Sequence, residues 1–230
     1  MGVVAALASE ARALGPSMRR VGTPPLSELA LGDGSLLALS GIGRAAAAAA
    51  AQSLVDAGVS ALMTFGLAGG LDPALKSGSV VIPCELLSTE GTRYAACRAW
   101  RERVAAAISP LCAVTAGNLL TSTHVIDTPA DKAAAFRNSG AAAVDMESAA
   151  VAEIAAKHNL PVIAVRVIAD TAADMLPRAV VAASKAGRVQ FARLIGGLIL
   201  APHEIASLIR LAQRYRIAMR SLRIVGAHLA

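Results

Sequence analysis

The run Val162-Ile-Ala-Val-Arg-Val-Ile-Ala-Asp170 constrains this chain more than any other segment. It is apolar except for Arg166, it follows a proline, and it ends on a carboxylate. That reads as a buried strand over 162–168 that delivers Asp170 to its carboxyl end. Just upstream, Val144-Asp145-Met146-Glu147-Ser148-Ala149-Ala150 places a second acid, Glu147, at the mouth of an Ala-rich helix. Open α/β sheets bind ligands beyond the carboxyl ends of their strands. Two acids sent to one rim by neighbouring elements therefore point to acid/base chemistry.

The rest of the chain fits an alternation of strand and helix. Strands are expected at 2–7, 36–40, 61–66, 75–82, 116–122 and 142–146, with a hairpin joining 28–32 to 36–40 around Gly32-Asp33-Gly34. Helices are expected from Glu10, with Ser9 as its cap, then from Arg44 to Val55, and over 98–107, 129–138, 148–158 and 178–200. Ser40-Gly41-Ile42-Gly43-Arg44 reads as a strand-to-helix turn, and the glycines from Gly66 to Gly70 as a second turn after a strand. The pattern predicts a three-layer α/β sandwich with a central mixed sheet. Residues 1–201 form one catalytic domain without a linker, which is enough chain to bury a core.

Residues 202–230 read as a basic amphipathic helical extension. Ile205, Leu208, Ile209, Ala212, Tyr215 and Met219 share a face, opposite Arg210 and Arg214. Between Arg210 and Arg223 there are five arginines and no acid. Such a helix binds phosphates of an anionic membrane through 203–223, packs on a neighbouring subunit of a homo-oligomer, or is simply solvated. Aromatics make up only 3% of the chain, which argues against a surface that stacks nucleobases of a single strand and so against a nucleic-acid partner. Cys84, Cys97 and Cys112 lack metal-ligand spacing, and no metal is expected. With no leader pattern and no apolar run long enough to span a bilayer, the expected location is the cytoplasm, at most peripheral to the membrane.

Four elements in this order, Ser40-Gly-Ile-Gly43, Thr64-Phe-Gly-Leu-Ala-Gly-Gly-Leu71, Asp145-Met-Glu147 and Arg166-Val-Ile-Ala-Asp170, resemble the purine nucleoside phosphorylase and methylthioadenosine/adenosylhomocysteine nucleosidase superfamily. The resemblance covers about residues 2 to 200. The short N-terminal half and the Arg-rich tail are most similar to its hopanoid-associated phosphorylase branch. That branch implies release of adenine from adenosylhopane, a lipid-linked nucleoside. A soluble methylthioadenosine or adenosylhomocysteine nucleosidase is the alternative.

The resemblance assigns roles that suit the chemistry. A purine must not leave as an anion, and a carboxylic acid kept protonated by burial, Asp170, can donate to its N7. Glu147 can accept hydrogen bonds from the ribose hydroxyls and offset the cationic sugar. Met146 packs on the sugar, and Val125, Ile126, Leu67, Ala68 and Gly69 line the substrate. Val125 stands where nucleosidases stack an aromatic. Ala169 replaces the usual Ser before the acid, and Leu67 replaces a Ser or Thr. The resemblance favours phosphorolysis as the route of adenine release, and the residues also allow hydrolysis, so the nucleophile is open at this stage. Gly41, Gly43, Arg44 and Gly66 suit inorganic phosphate as co-substrate, whereas Glu10 aligns with the glutamate that activates water. No other cofactor is implied. Arg166, inside an apolar strand, needs a carboxylate partner.

Overall fold

The computed structural model describes residues 1–15, 19–21, 28–30, 35–177 and 205–229. The Gly32-Asp33-Gly34 turn and the helix expected over 178–200 lie outside them. The strands are β1 (Gly2–Ala5), β2 (Arg19–Val21), β3 (Glu28–Ala30), β4 (Leu36–Leu39), β5 (Leu62–Gly70), β6 (Val80–Val81), β7 (Glu85–Ser88), β8 (Arg93–Ala95), β9 (Val114–Thr115), β10 (Asn118–Thr121), β11 (Ala141–Asp145) and β12 (Val162–Asp170). The helices are a single turn α1 (Ala8–Ala11), α2 (Arg44–Asp56), α3 (Arg98–Ile108), α4 (Pro129–Ser139), α5 (Ser148–Lys157) and α6 (Ile205–Gly226).

All described strands belong to one mixed sheet, ordered β2-β3-β4-β1-β5-β11-β10-β7-β8, with β12 on β5 and β6 and with β9 beyond β6. Strand β5 organises it. Its first residues pair in parallel with β1, its last two pair antiparallel with β11, and its other edge carries β12 in parallel for its whole length. The register sets Gly66 opposite Arg166 and, past a shift after Ile168, Gly69 opposite Asp170.

Side chains alternate across a strand, and β12 uses both faces. Ile163, Val165 and Val167 join a core with Val104 and Ile108 of α3 and with Ala218, Met219, Leu222 and Val225 of α6. Val162, Ala164 and Ile168 join a second core with the alanines of α2 and α5. Helices therefore cover both faces, as the three-layer expectation required. Arg166 shares the α5 face, where the first turn of that helix meets the strand.

Several local expectations change. The glycines of 66–70 form no turn; they continue β5 to Gly70, and their value is close approach. A Cβ on Gly66 would lie 2.5 Å from both Glu10 and Arg166, and one on Gly70 would lie 3.2 Å from the Asp170 carbonyl. The turn glycines are Gly41 and Gly43, whose φ angles of 79° and 106° an L side chain adopts only under strain. Ser9 does not cap the first helix. Glu10 does so by reaching back to the N–H groups of Ala6 and Leu7. The hairpin strands β7 and β8 were not foreseen.

The buried face of α6 is also not the one the arginine pattern suggests. Ala218, Leu222 and Val225 are sealed and Met219 is buried, while Ile209 is 54% exposed and Tyr215 is 38% exposed. Residues 218, 222 and 225 recur at helical spacing and press on β12, and Gly226 lies against the Ala13 backbone. The arginines at 216, 220 and 223 face outward. No helix among the described residues is long and apolar enough to cross a membrane.

Candidate active site

The carboxyl ends of β1, β5, β11 and β12 open onto a cavity of about 220 Å³. Glu10, Glu147 and Asp170 line it, as do Leu67, Ala68, Gly69, Val125, Ile126 and Met146. Ala6, Leu7, Ile42, His124, Val144, Asp145, Ala169 and Leu176 complete the wall. The sequence thus named three acids and six lining residues that the fold brings to one place. Its apolar wall leaves few polar groups to fix a ligand's orientation, and those are mainly carboxyls.

Glu10 comes from the turn after β1 and is 3% exposed. Its Oε2 accepts from the N–H groups of Ala6 and Leu7 at 3.1 and 2.9 Å, and its Oε1 accepts from Leu67 N–H at 2.9 Å. Burial raises its pKa above the ordinary carboxylate value, opposed by the nearby Arg166 charge and by those N–H groups. Glu147, at the N-terminus of α5, accepts from Gly43 N–H at 2.9 Å through Oε1. Burial first, and then the charge of Asp145, push it up to about 7, against the pull of Arg166.

Behind these two lies a buried ionic centre. The Arg166 guanidinium, 1% exposed, pairs with Asp145 Oδ2 at 2.8 Å and sits 3.9 Å from Glu147 Oε2. It also donates to Thr64 Oγ1 at 2.6 Å and to Ser148 Oγ at 3.0 Å. Asp145 accepts in addition from Thr121 Oγ1 at 2.7 Å, from the backbone N–H groups of Glu147 and Ser148, and from the Ser148 hydroxyl. Arg166 thus has the carboxylate partner that its burial demanded, and that partner is in its own chain.

Asp170 ends β12 over the Gly69 backbone and is 8% exposed. Its Oδ2 accepts from Lys132 Nζ at 2.5 Å. Burial raises its pKa, while the Lys132 ammonium and its hydrogen bond act in the opposite direction. Lys132 was missed in the sequence, although one signal was present. It stands in the first turn of α4, where the helix dipole disfavours a cation, and it is wholly buried.

The four residues suited to phosphate are not gathered in the cavity. Arg44 turns to Glu90, 2.6 Å away, and to Glu153 at 3.8 Å. The Gly43 N–H is given to Glu147, and the Leu67 N–H next to Gly66 is given to Glu10. Gly41, Gly43 and Gly66 do not line the cavity; Ile42 does.

Residues 29–200 match the phosphorylase superfamily. The fold is similar to futalosine hydrolase of Helicobacter pylori strain 26695, with a TM-score of 0.71 at 15% identity over 97% of this chain and 95% of that one. It is similar to the 5′-methylthioadenosine/S-adenosylhomocysteine nucleosidase of Helicobacter pylori, at 0.71 and 15% over 97% and 96%. The nucleosidase of the same name from Neisseria meningitidis gives 0.68 at 22% identity over 97% of each chain. At these identities the likeness shows the fold. Among curated proteins, none matches the chain in sequence.

Proposed function

The chain belongs to the phosphorylase superfamily, and from that premise we propose that it cleaves the N-glycosidic bond of an adenosyl nucleoside with water as the nucleophile. One observation carries this reading: the backbone N–H that an anion would need at the Gly66 wall is already held by the buried carboxyl of Glu10. A carboxylate in that place repels phosphate. With its pKa raised by burial, it suits a base that takes a proton from water. Asp170 donates to N7 of the leaving purine. Glu147 receives the ribose hydroxyls and offsets the cationic sugar. Met146 covers the sugar, and Val125 and Ile126 form the apolar bed of the base.

The apolar wall of Leu7, Ile42, Leu67 and Leu176 supports an adenosine that carries an apolar 5′ group, of which methylthioadenosine is the soluble case. Adenosylhopane, the lipid-linked case, is a second reading favoured by the outward face of α6. There, Arg216, Arg220 and Arg223 lie beside the exposed Ile209 and Ile217, a composition that suits an anionic bilayer surface.

The test is adenine release from methylthioadenosine in solution and from adenosylhopane in anionic liposomes, with and without phosphate. The expected result is release independent of phosphate and reduced at least ~100-fold in Asp170→Asn. Release that requires phosphate overturns the nucleophile assignment. In the liposome arm, Arg216→Glu with Arg220→Glu is the variant to use, because removing α6 would strip the core of β12. Unchanged liposome binding by that variant rules out the membrane role.

A further inference from the structure

The Lys132 ammonium has a complete set of partners inside the protein. It donates to Asp170 Oδ2 at 2.5 Å, to the Thr171 carbonyl at 2.8 Å and to the Asp174 carbonyl at 3.0 Å. An ammonium has three N–H donors, so all three are used and the nitrogen is fixed. Two of the acceptors are carbonyls of the turn that leaves β12. That turn is closed by the Asp174 carboxylate, which accepts from the Thr171 N–H and from its hydroxyl, each at 2.7 Å. The Asp174 carboxylate is in turn paired with Arg214 of α6, and Arg214 also donates to Thr171 Oγ1 at 2.8 Å. A continuous series of polar contacts therefore runs from the C-terminal helix, through the turn and Lys132, to the acid at the rim of the cavity.

We propose that Lys132 is the positioning residue for Asp170: it occupies Oδ2, so that the acidic proton resides on Oδ1, and Arg214 anchors the turn that holds Lys132 in place. The proposal rests on the reading of Asp170 as the proton donor. An oxygen that accepts from an ammonium is a poor site for a second proton, which leaves Oδ1 to present it to a base in the cavity. The same ammonium also fixes the acidity. An opposite charge in contact lowers a carboxyl pKa by about one to three units relative to the same burial without it. Relative to burial alone, the ammonium makes the proton of Asp170 easier to release.

Among the described residues, the groups that face Asp170 are few. Lys132 approaches from α4 and Asp174 from the following turn, with Arg214 of α6 behind Asp174. Strand β5 presents only glycine backbone. Glu10, Asp145, Glu147 and His124 share the cavity wall. The first two partners act in opposite senses on Asp170, the ammonium favouring its ionised form and the Asp174 carboxylate disfavouring it.

The experiment uses the full chain as wild type, Lys132→Met, Lys132→Arg and Arg214→Gln, with two readouts. The first is the pH profile of kcat/KM for adenine release. A donor loses activity as pH rises through its pKa, so the alkaline limb of Lys132→Met should move up by about one to three pH units. In Lys132→Arg the charge is kept, and the limb should stay near wild type while kcat falls. The second is direct titration of the Asp170 carboxyl by ¹³C NMR, assigned with Asp170→Asn, which should move in the same direction. If Lys132→Met does not fold, Arg214→Gln, at a site one-third exposed, should shift the titration upward by a smaller amount. A carboxyl titration that is unmoved in these variants overturns the proposal. An inactive wild type whose Asp170 titration still shifts would instead overturn the assigned reaction and leave this arrangement standing.

Discussion

Glu147→Gln should make the protein more stable above neutral pH and leave it less changed in mild acid. Glu147 rises from 4.5 to about 7 in the folded chain because it is buried and lies beside Asp145. A carboxyl with a raised folded pKa binds its proton more tightly when folded. Its favourable contribution is fully present below the unfolded value and is lost as pH climbs through the folded value. Each pH unit of difference is worth about 1.4 kcal/mol. The cost carried by ionised Glu147 above neutrality is therefore about 3 kcal/mol, most of it appearing between pH 5 and pH 8. Glutamine keeps an oxygen for the Gly43 N–H and never ionises. It gives up the 3.3 Å contact with the Met146 N–H and the 3.9 Å approach to Arg166, and the pull of Arg166 on the ionised form is already contained in the value of about 7. Asp170 also has a raised pKa, but both proteins contain it, so it cancels in the comparison; Glu10 acts on Glu147 directly, and its push is already contained in the value of about 7. Urea unfolding of wild type and variant at pH 5 and pH 8 gives four free energies. The variant's advantage should grow by about 2 to 3 kcal/mol between the two pH values, while its turnover falls. An advantage that is equal at both would show that Glu147 is not held near neutrality by burial and by Asp145, and the argument for its role would fail with it.

Gly66→Ala should lose both stability and turnover. Its new Cβ would sit 2.5 Å from Arg166 Nη1 and from Glu10 Oε1, both of which are buried and held by hydrogen bonds that a shift would break. Overpacking of this kind costs about 1–3 kcal/mol, and a thermal melt with a parallel kcat measurement reads both effects; a neutral substitution would mean that the Glu10 seat is loose. Leu222→Ala should lower the unfolding free energy by about 2–5 kcal/mol, because this α6 side chain is fully buried against β12. A urea midpoint within error of wild type would show that α6 is not part of the core.

Much of this architecture was legible because a few residues have one reasonable place. A short apolar run that follows a proline and is rich in Val and Ile reads as a buried strand, and a lone arginine inside it had to find an acid. Asp170 and Glu147 were legible as a pair because strand β12 ends and helix α5 begins at the same rim. The glycines of 66–70 were misread for an instructive reason. Glycine signals either unusual dihedrals or close approach, and local sequence does not separate the two. Here Arg166 and Glu10, 100 and 56 residues away in the chain, supply the close neighbours. The buried face of α6 was hidden for a related reason. Its arginine spacing implied two opposed faces, but the strand it meets selected Ala218, Leu222 and Val225. The donors proposed for phosphate were plausible one at a time. What the sequence could not show was that two nearby backbone donors were already committed to Glu147 and Glu10.

The charge balance of the site links these observations to the proposed chemistry. One guanidinium, Arg166, stands among Asp145, Glu147 and Glu10, so the cluster is short of positive charge if all three acids ionise. Burial raises the pKa values of both Glu10 and Glu147, and the charges of Asp145 and Glu10 add to the effect on Glu147. A cationic ribosyl centre in the cavity would bring the positive charge that the cluster lacks, so the attraction of the carboxyls would be greater in the transition state than with the neutral nucleoside. That differential is what lowers a barrier, because binding both states equally would not.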